Sequence, residues 1–148
     1  AAGGNVDESI EAEAQPVGKA PLKEYRSDID HCFSGTSVGH ILARLKKSDT
    51  DWARATADIV RAKAPLSTRV AYEQIRLGET LDFESCMALE FRLTNRFMNA
   101  HDFYEGVRAV LIDKDQAPKW KPATLDDVSD VMVQDYFESL GDNELIFD

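Results

Sequence analysis

His101, Asp102 and Glu105 stand close together in the chain, and each is a residue type that can ligate a metal or move a proton. The spacing does not suit a metal: no second histidine follows at helical spacing, and no HExxH is present. A structural use fits better, with Asp102 capping a helix and Glu105 in its first turn, where the helix dipole favours an anion. His31 adjoins Cys32, but neighbouring helical residues point in different directions, which argues against a nucleophilic pair. No GxSxG elbow and no glycine-rich phosphate loop occurs. Glu90 sits between Leu89 and Phe91 in the most apolar part of the chain. A buried carboxylate must be paired or must change its pKa. A structural ion pair and a catalytic acid are the two readings of it. No residue is assigned as catalytic, and none as a metal ligand.

Residues 108–121 (RAVLIDKDQAPKWK) differ from the rest by charge. Arg108, Lys114, Lys119 and Lys121 outnumber Asp113 and Asp115, in a chain whose net charge is −10. Such a loop, carrying Trp120, can receive phosphates and a flat base. It can equally be a solvated loop whose tryptophan packs on the last helix.

With 148 residues, 43% of them hydrophobic, the chain is of a size for one ordinary domain with a real core. It opens on Ala1 rather than Met, from which a processed protein or a piece of a longer one is expected. The acidic balance of 27 Asp and Glu against 17 Lys and Arg speaks against nucleic acid as a partner, since that binding needs a basic surface. No run of about 18 apolar residues is present, so no membrane span is expected. No basic stretch leads into an apolar one at the start, so no secretory leader is expected. Cys32 and Cys86 are far apart and read as reduced thiols, fitting a reducing compartment.

The elements that must position these residues read as helices throughout. Residues 1–20, rich in Ala, Gly, Glu and Pro, read as a linker or the frayed end of a preceding domain, with a helical turn near 7–14; residues 21–148 form the helical domain. Pro21 opens a helix with Leu22, Tyr25, Ile29 and Phe33 on one face, stopped at Gly35. Ser37 caps a second helix carrying Val38, Ile41, Leu42 and Leu45. A third buries Trp52, Ala55, Ile59 and Ala62. A fourth, from Pro65 to Gly78, buries Val70, Ile75 and Leu77. The fifth, 82–100, is apolar around most of its circumference, which marks a central helix. A sixth spans 103–112. Pro118, Trp120 and Pro122 force an extended stretch, and a last helix, 125–140, turns Val128, Val131, Met132, Phe137 and Leu140 inward. The prediction is an all-α fold of six to seven helices. The fifth helix is too apolar for so little surrounding protein, so exposed apolar surface and dimerisation near Phe83, Phe91 or Phe97 are expected.

The run MALEFRLTNRFMNAHDFYEGVRAVLIDKDQAPKWKP, 87–122, resembles the C-terminal signature of the 3-hydroxyisobutyryl-CoA hydrolase branch of the enoyl-CoA hydratase/isomerase (crotonase) superfamily. HDFYEGVRAVLIDKD followed by PKWKP is its most specific part. Crotonases at large share the acid-plus-EG pattern, here Asp102, Glu105 and Gly106, with Glu90 upstream. The Asp113-Lys114-Asp115 run points to the hydrolase branch. CFSG at 32–35 and the helix start at Pro65 extend the likeness over residues 21–148.

The resemblance implies the helical C-terminal region of an acyl-CoA thioester hydrolase of valine catabolism, without the ββα spiral core. It implies an oxyanion hole and acidic catalytic groups upstream of the matched region, so the chain alone is expected to be inactive. It implies an acyl-CoA substrate, with coenzyme A entering as part of that substrate and no separate cofactor. Partners are the upstream core and further copies of the chain. Arg108, Lys114, Lys119, Lys121 and Trp120 become candidate contacts for coenzyme A. Bacterial cytoplasm, or the mitochondrial matrix in a eukaryote, is the expected location. A hydratase or isomerase, and a stand-alone helical interaction module, are the alternatives.

Overall fold

A computed structural model describes residues 5–15, 18 and 20–147, the side chains of Glu8 and Ser9 excepted. Eight α-helices follow in order: α1 (Val6–Glu13), α2 (Arg26–Phe33), α3 (Val38–Ser48), α4 (Asp51–Arg61), α5 (Pro65–Gly78), α6 (Phe83–Met98), α7 (His101–Val107) and α8 (Asp130–Gln134). Among the described residues there is no strand, and the fold is all-α. The helical turn expected near 7–14 is α1, with Asn5 accepting from the Asp7 N–H. The rest of the expected linker falls partly outside the described residues.

Local chemistry sets the boundaries. Ser37, Thr50, Asp82 and Ser129 each accept a backbone N–H from the first turn of the helix they precede, which satisfies donors a helix end leaves free. Pro21 opens a 3₁₀ turn (Pro21–Tyr25) that runs into α2, and Pro65 opens α5.

Two clusters form the core. In the first, Cys32 of α2 meets Ile41 and Leu45 of α3 and Ala53 and Ala57 of α4, with Leu42, Trp52 and Tyr72 against them. The alanines let α3 and α4 approach closely. In the second, Val70 of α5 and Leu89 and Leu93 of α6 meet Val128 and Val133, bordered by Leu66, Phe97, Tyr136 and Phe137. Tyr72 ties α5 to the first cluster: its ring packs on that cluster, and its hydroxyl donates to the Gly35 carbonyl (3.0 Å). Gly35 has to be glycine, because a Cβ there would sit 2.9 Å from the Ile41 nitrogen.

Several expected core positions are corrected. Over the 3₁₀ turn and α2 the inward side chains are Tyr25, Asp28, Ile29 and Cys32, while Leu22 and Phe33 are exposed. In α4 the alanines at 53 and 57 face inward, and Ala55, Ile59 and Ala62 face out. Ile75 and Leu77 of α5 are exposed as well. In α4 the periodicity held and its phase did not, because the small Ala53 and Ala57 rather than the larger Ile59 face the neighbouring helix. The single helix expected over 125–140 is instead a 3₁₀ turn (Leu125–Asp127), α8 and a run of turns. Val131 and Met132 are consequently exposed. Arg92 and Arg96 hold the last segment from α6: Arg92 donates to Glu144 and to the Phe137 carbonyl, Arg96 to the Glu138 and Ser139 carbonyls.

Candidate functional site

The chemistry-bearing residues gather on α7 and the loop after it. The helix begins at His101, with Ala100 as its N-cap and no side chain capping it. Asp102 therefore does not cap, contrary to the sequence expectation. It lies inside the first turn with its side chain 8% exposed, and its Oδ1 accepts the backbone N–H of Lys121 at 2.8 Å. The ring Nδ1 of His101 lies 3.0 Å from the same oxygen. The other oxygen, Oδ2, is buried without a hydrogen-bond partner. Burial first, and the Asp102 carboxylate second, push the Tyr136 hydroxyl above its ordinary pKa. Its ring packs tilted on Phe97, centroids 4.7 Å apart.

Glu105, one turn further on, accepts the backbone N–H of Lys119 at 2.7 Å and a two-point ion pair from Arg108. Those bonds, the Arg108 contribution leading, hold its carboxyl at a pKa of about 2.

After Val107 the helix widens into a π turn, Arg108–Ile112, closed by Asp113 N–H to the Arg108 carbonyl. π turns recur at functional sites. Here the turn swings Asp113 and Asp115 back onto Arg108, which donates to them at 2.6 and 2.7 Å and to the Ala117 carbonyl at 3.3 Å. Every N–H of the guanidinium is thereby engaged. Lys114 and Gln116 take left-handed backbone conformations to close the loop, at φ 57° and 54°.

Trp120 is half-buried. Its indole N–H donates to the Ala62 carbonyl past the end of α4 (3.1 Å), and its ring edge lies 3.4 Å from where a Cβ on Gly106 would be. The ring thus packs on α7 and reaches α4, not the last helix. The Lys121–Pro122 peptide is cis.

The four cations of the segment therefore divide. Arg108 is saturated internally, and Trp120 is committed to Ala62 and Gly106. Lys114, Lys119 and Lys121 are exposed, and among the described residues no carboxylate lies within ion-pair distance of their ammonium groups. Glu90 is not buried. It lies exposed on α6 and accepts from the Gln74 amide, away from α7. Phe97, expected near an interface, faces Tyr136 inside; Phe83 and Phe91 are exposed. Cys32 is buried and Cys86 half-buried, both as free thiols. No group of three or more metal-ligating side chains is assembled among the described residues. Among those residues no helix is long and apolar enough to cross a membrane. The clip between α7 acids and the Lys119 and Lys121 amides escaped the sequence reading. Acids three apart on a helix, opposite alternate residues of a Pro-bounded stretch, are its visible trace.

A helical unit with this acid-clipped basic loop has close relatives. The family model described as enoyl-CoA hydratase/isomerase matches residues 3–137, and the chain belongs to that family. Within it, the mitochondrial 3-hydroxyisobutyryl-CoA hydrolase of Rattus norvegicus is 42% identical over 126 residues, which cover 85% of this chain and 33% of the relative. That of Danio rerio is 44% identical over 124 residues, 84% of this chain and 32% of the relative. Among solved structures, a carnitinyl-CoA dehydratase from Mycobacterium thermoresistibile superposes with a TM-score of 0.87 at 36% identity, covering 97% of this chain and 41% of that one. An enoyl-CoA hydratase from Rhodobacter sphaeroides follows with a TM-score of 0.79 and 32% identity, covering 95% and 44%. The chain spans about a third of the curated relatives' length.

Proposed function

We propose that this chain supplies the coenzyme A-covering helical part of an acyl-CoA thioester hydrolase acting on 3-hydroxyisobutyryl-CoA in valine catabolism, in a compartment such as the mitochondrial matrix. The observation that carries the reading is the likeness to 3-hydroxyisobutyryl-CoA hydrolases over 84–85% of the chain. The site chemistry agrees with it. An acidic protein that keeps three unpaired lysines on one loop has placed cations where an anionic ligand gains from them, and coenzyme A carries phosphates. In this reading Lys114, Lys119 and Lys121 meet the phosphates. Arg108 and Trp120 hold the loop in shape rather than touch the ligand. Thioester cleavage belongs to an upstream core that supplies the oxyanion hole and the acidic groups. The exposed Phe83 and Phe91, with Val110, Leu111 and Ile112 of the π turn, would be covered by that core or by another copy of the chain.

The names of the solved relatives, a dehydratase and a hydratase, favour a second reading in which the parent chemistry is addition or loss of water; the same loop would then hold the same carrier. The test is twofold. Incubated with 3-hydroxyisobutyryl-CoA, the chain should release no thiol; turnover at a useful rate would move the catalytic groups into it. Coenzyme A titrated into the isotopically labelled chain should shift the Lys114, Lys119 and Lys121 amides, less so as salt is raised, while pantetheine, which lacks the phosphates, should not. Equal responses to both ligands, or none, would remove the lysines from this role.

A further inference from the structure

Asp102 and Glu105 lie three residues apart on α7, so they share a helix face about one turn apart. Their carboxylates accept the backbone N–H groups of Lys121 and Lys119, at 2.8 and 2.7 Å. The two amides belong to alternate residues, and alternate residues of an extended segment present one edge. One helix face thus clips one edge of the segment at two points. Trp120, between them, is fixed on its own side by Ala62 and Gly106. Alternation then sends Lys119 and Lys121 to the opposite face, about 7 Å apart along the chain, and both are exposed.

Neither acid is a bystander on the surface. The side chains of Asp102 and Glu105 are 8% and 11% exposed, although a solvated loop would need no buried anions to hold it. Arg108 completes the clip from the far side by tying Glu105 to Asp113, Asp115 and the Ala117 carbonyl. The two lysines could be held in register by any backbone partner. Charged acceptors make the stronger bonds, and these also leave the lysine ammonium groups free of carboxylate partners.

We infer that Asp102 and Glu105 are positioning residues that set Lys119 and Lys121 as a paired cationic grip for a ligand carrying more than one phosphate, the nucleotide end of an acyl carrier. The inference rests on the reading that these lysines meet coenzyme A.

The experiment measures coenzyme A affinity of the 148-residue chain by amide shifts. Lys119→Ala and Lys121→Ala should each weaken binding about fivefold, near the upper end of what one exposed charge pair contributes. Asp102→Ala and Glu105→Ala should weaken it by a similar factor while the lysines remain. Asp102→Asn, which keeps an acceptor for the Lys121 amide, should recover most of the loss. In a Lys119→Ala, Lys121→Ala background, removing either acid should cost nothing further, a coupling that a merely structural acid would not show. Should Asp102→Ala fail to fold, Glu105→Ala acts on Lys119 through the same edge and carries the test.

Unchanged affinity in both lysine variants would overturn the coenzyme A role of the lysines, and this inference with it. Weakened lysine variants beside unaffected acid variants would overturn the positioning role alone. So would an acid-variant loss that persists in full without the lysines.

Discussion

Glu105 should titrate with a pKa of about 2 in the folded chain, against an ordinary 4.5. The leading cause is the two-point bond from Arg108, followed by the Lys119 N–H, with partial burial working the other way. A depressed pKa means that the stability this carboxylate contributes is fully present above 4.5. It is lost as pH falls from there through about 2. Asp115 is shifted in the same direction, again with Arg108 as its first cause, so the loop loosens on both sides of the guanidinium over one acid window. The assay follows the Glu105 side-chain carboxyl carbon by NMR from neutral pH into acid, alongside exchange of the Lys119 amide. That amide should lose its protection as Glu105 protonates. Arg108→Gln removes the charge and keeps a planar donor group, and most of the gap back to 4.5 should close. A wild-type Glu105 that titrates near 4.5 would refute the reasoning. So would one that stays near 2 in Arg108→Gln, since the guanidinium would then not be what holds the charge.

Two glycines four residues apart should respond to alanine with opposite signs. At Gly35 a Cβ would lie 2.9 Å from the Ile41 nitrogen, and the overpacking should cost about 1–3 kcal/mol. At Gly39, inside α3, the nearest atom is 3.9 Å away, and the better helix former should add up to about 1 kcal/mol; urea midpoints that move the same way for both would contradict this. Leu45 is fully buried in the first cluster, and Leu45→Ala should cost about 2–5 kcal/mol, read as a fall in Tm, with a loss under about 1 kcal/mol showing that the cluster collapses freely. Gly106→Ala should be tolerated at 3.4 Å from the Trp120 ring, whereas Gly106→Val should displace that ring and shift its fluorescence in a Trp52→Phe background; an unchanged spectrum would break the assigned contact.

The helices were legible where local chemistry decides them. Ser37 caps α3 as its side chain allows, Pro65 opens α5 and α5 ends at Gly78, and the long apolar run is α6. Phase was less legible. Ile59 outranks Ala53 and Ala57 on any hydrophobicity scale, yet the alanines face α3, because helix packing there rewards close approach over apolar area. The last segment misled for a related reason. Its apolar spacing suits a helix, but Arg92 and Arg96 capture the carbonyls of 137–139, and those long-range bonds compete with helix continuation. No local pattern carries that information.

At the site, residue types were legible and their employment was not. Arg108 stood among the candidate coenzyme A contacts that the resemblance implies, but Glu105, Asp113 and Asp115 reach it first. Asp102 read as a cap, but the amide it satisfies belongs to Lys121, far along the chain. Both differences have one physical origin. A carboxylate takes whichever N–H lies nearest in space, and the π turn after Val107 brings the 113–121 loop back over α7. Donors already engaged by fixed acids, as those of Arg108 are, cannot also serve an incoming anion. A loop that carries acids, in an acidic chain, can be receptive to phosphate only if those acids are neutralised internally and its lysines are not, and that is the division the structure shows.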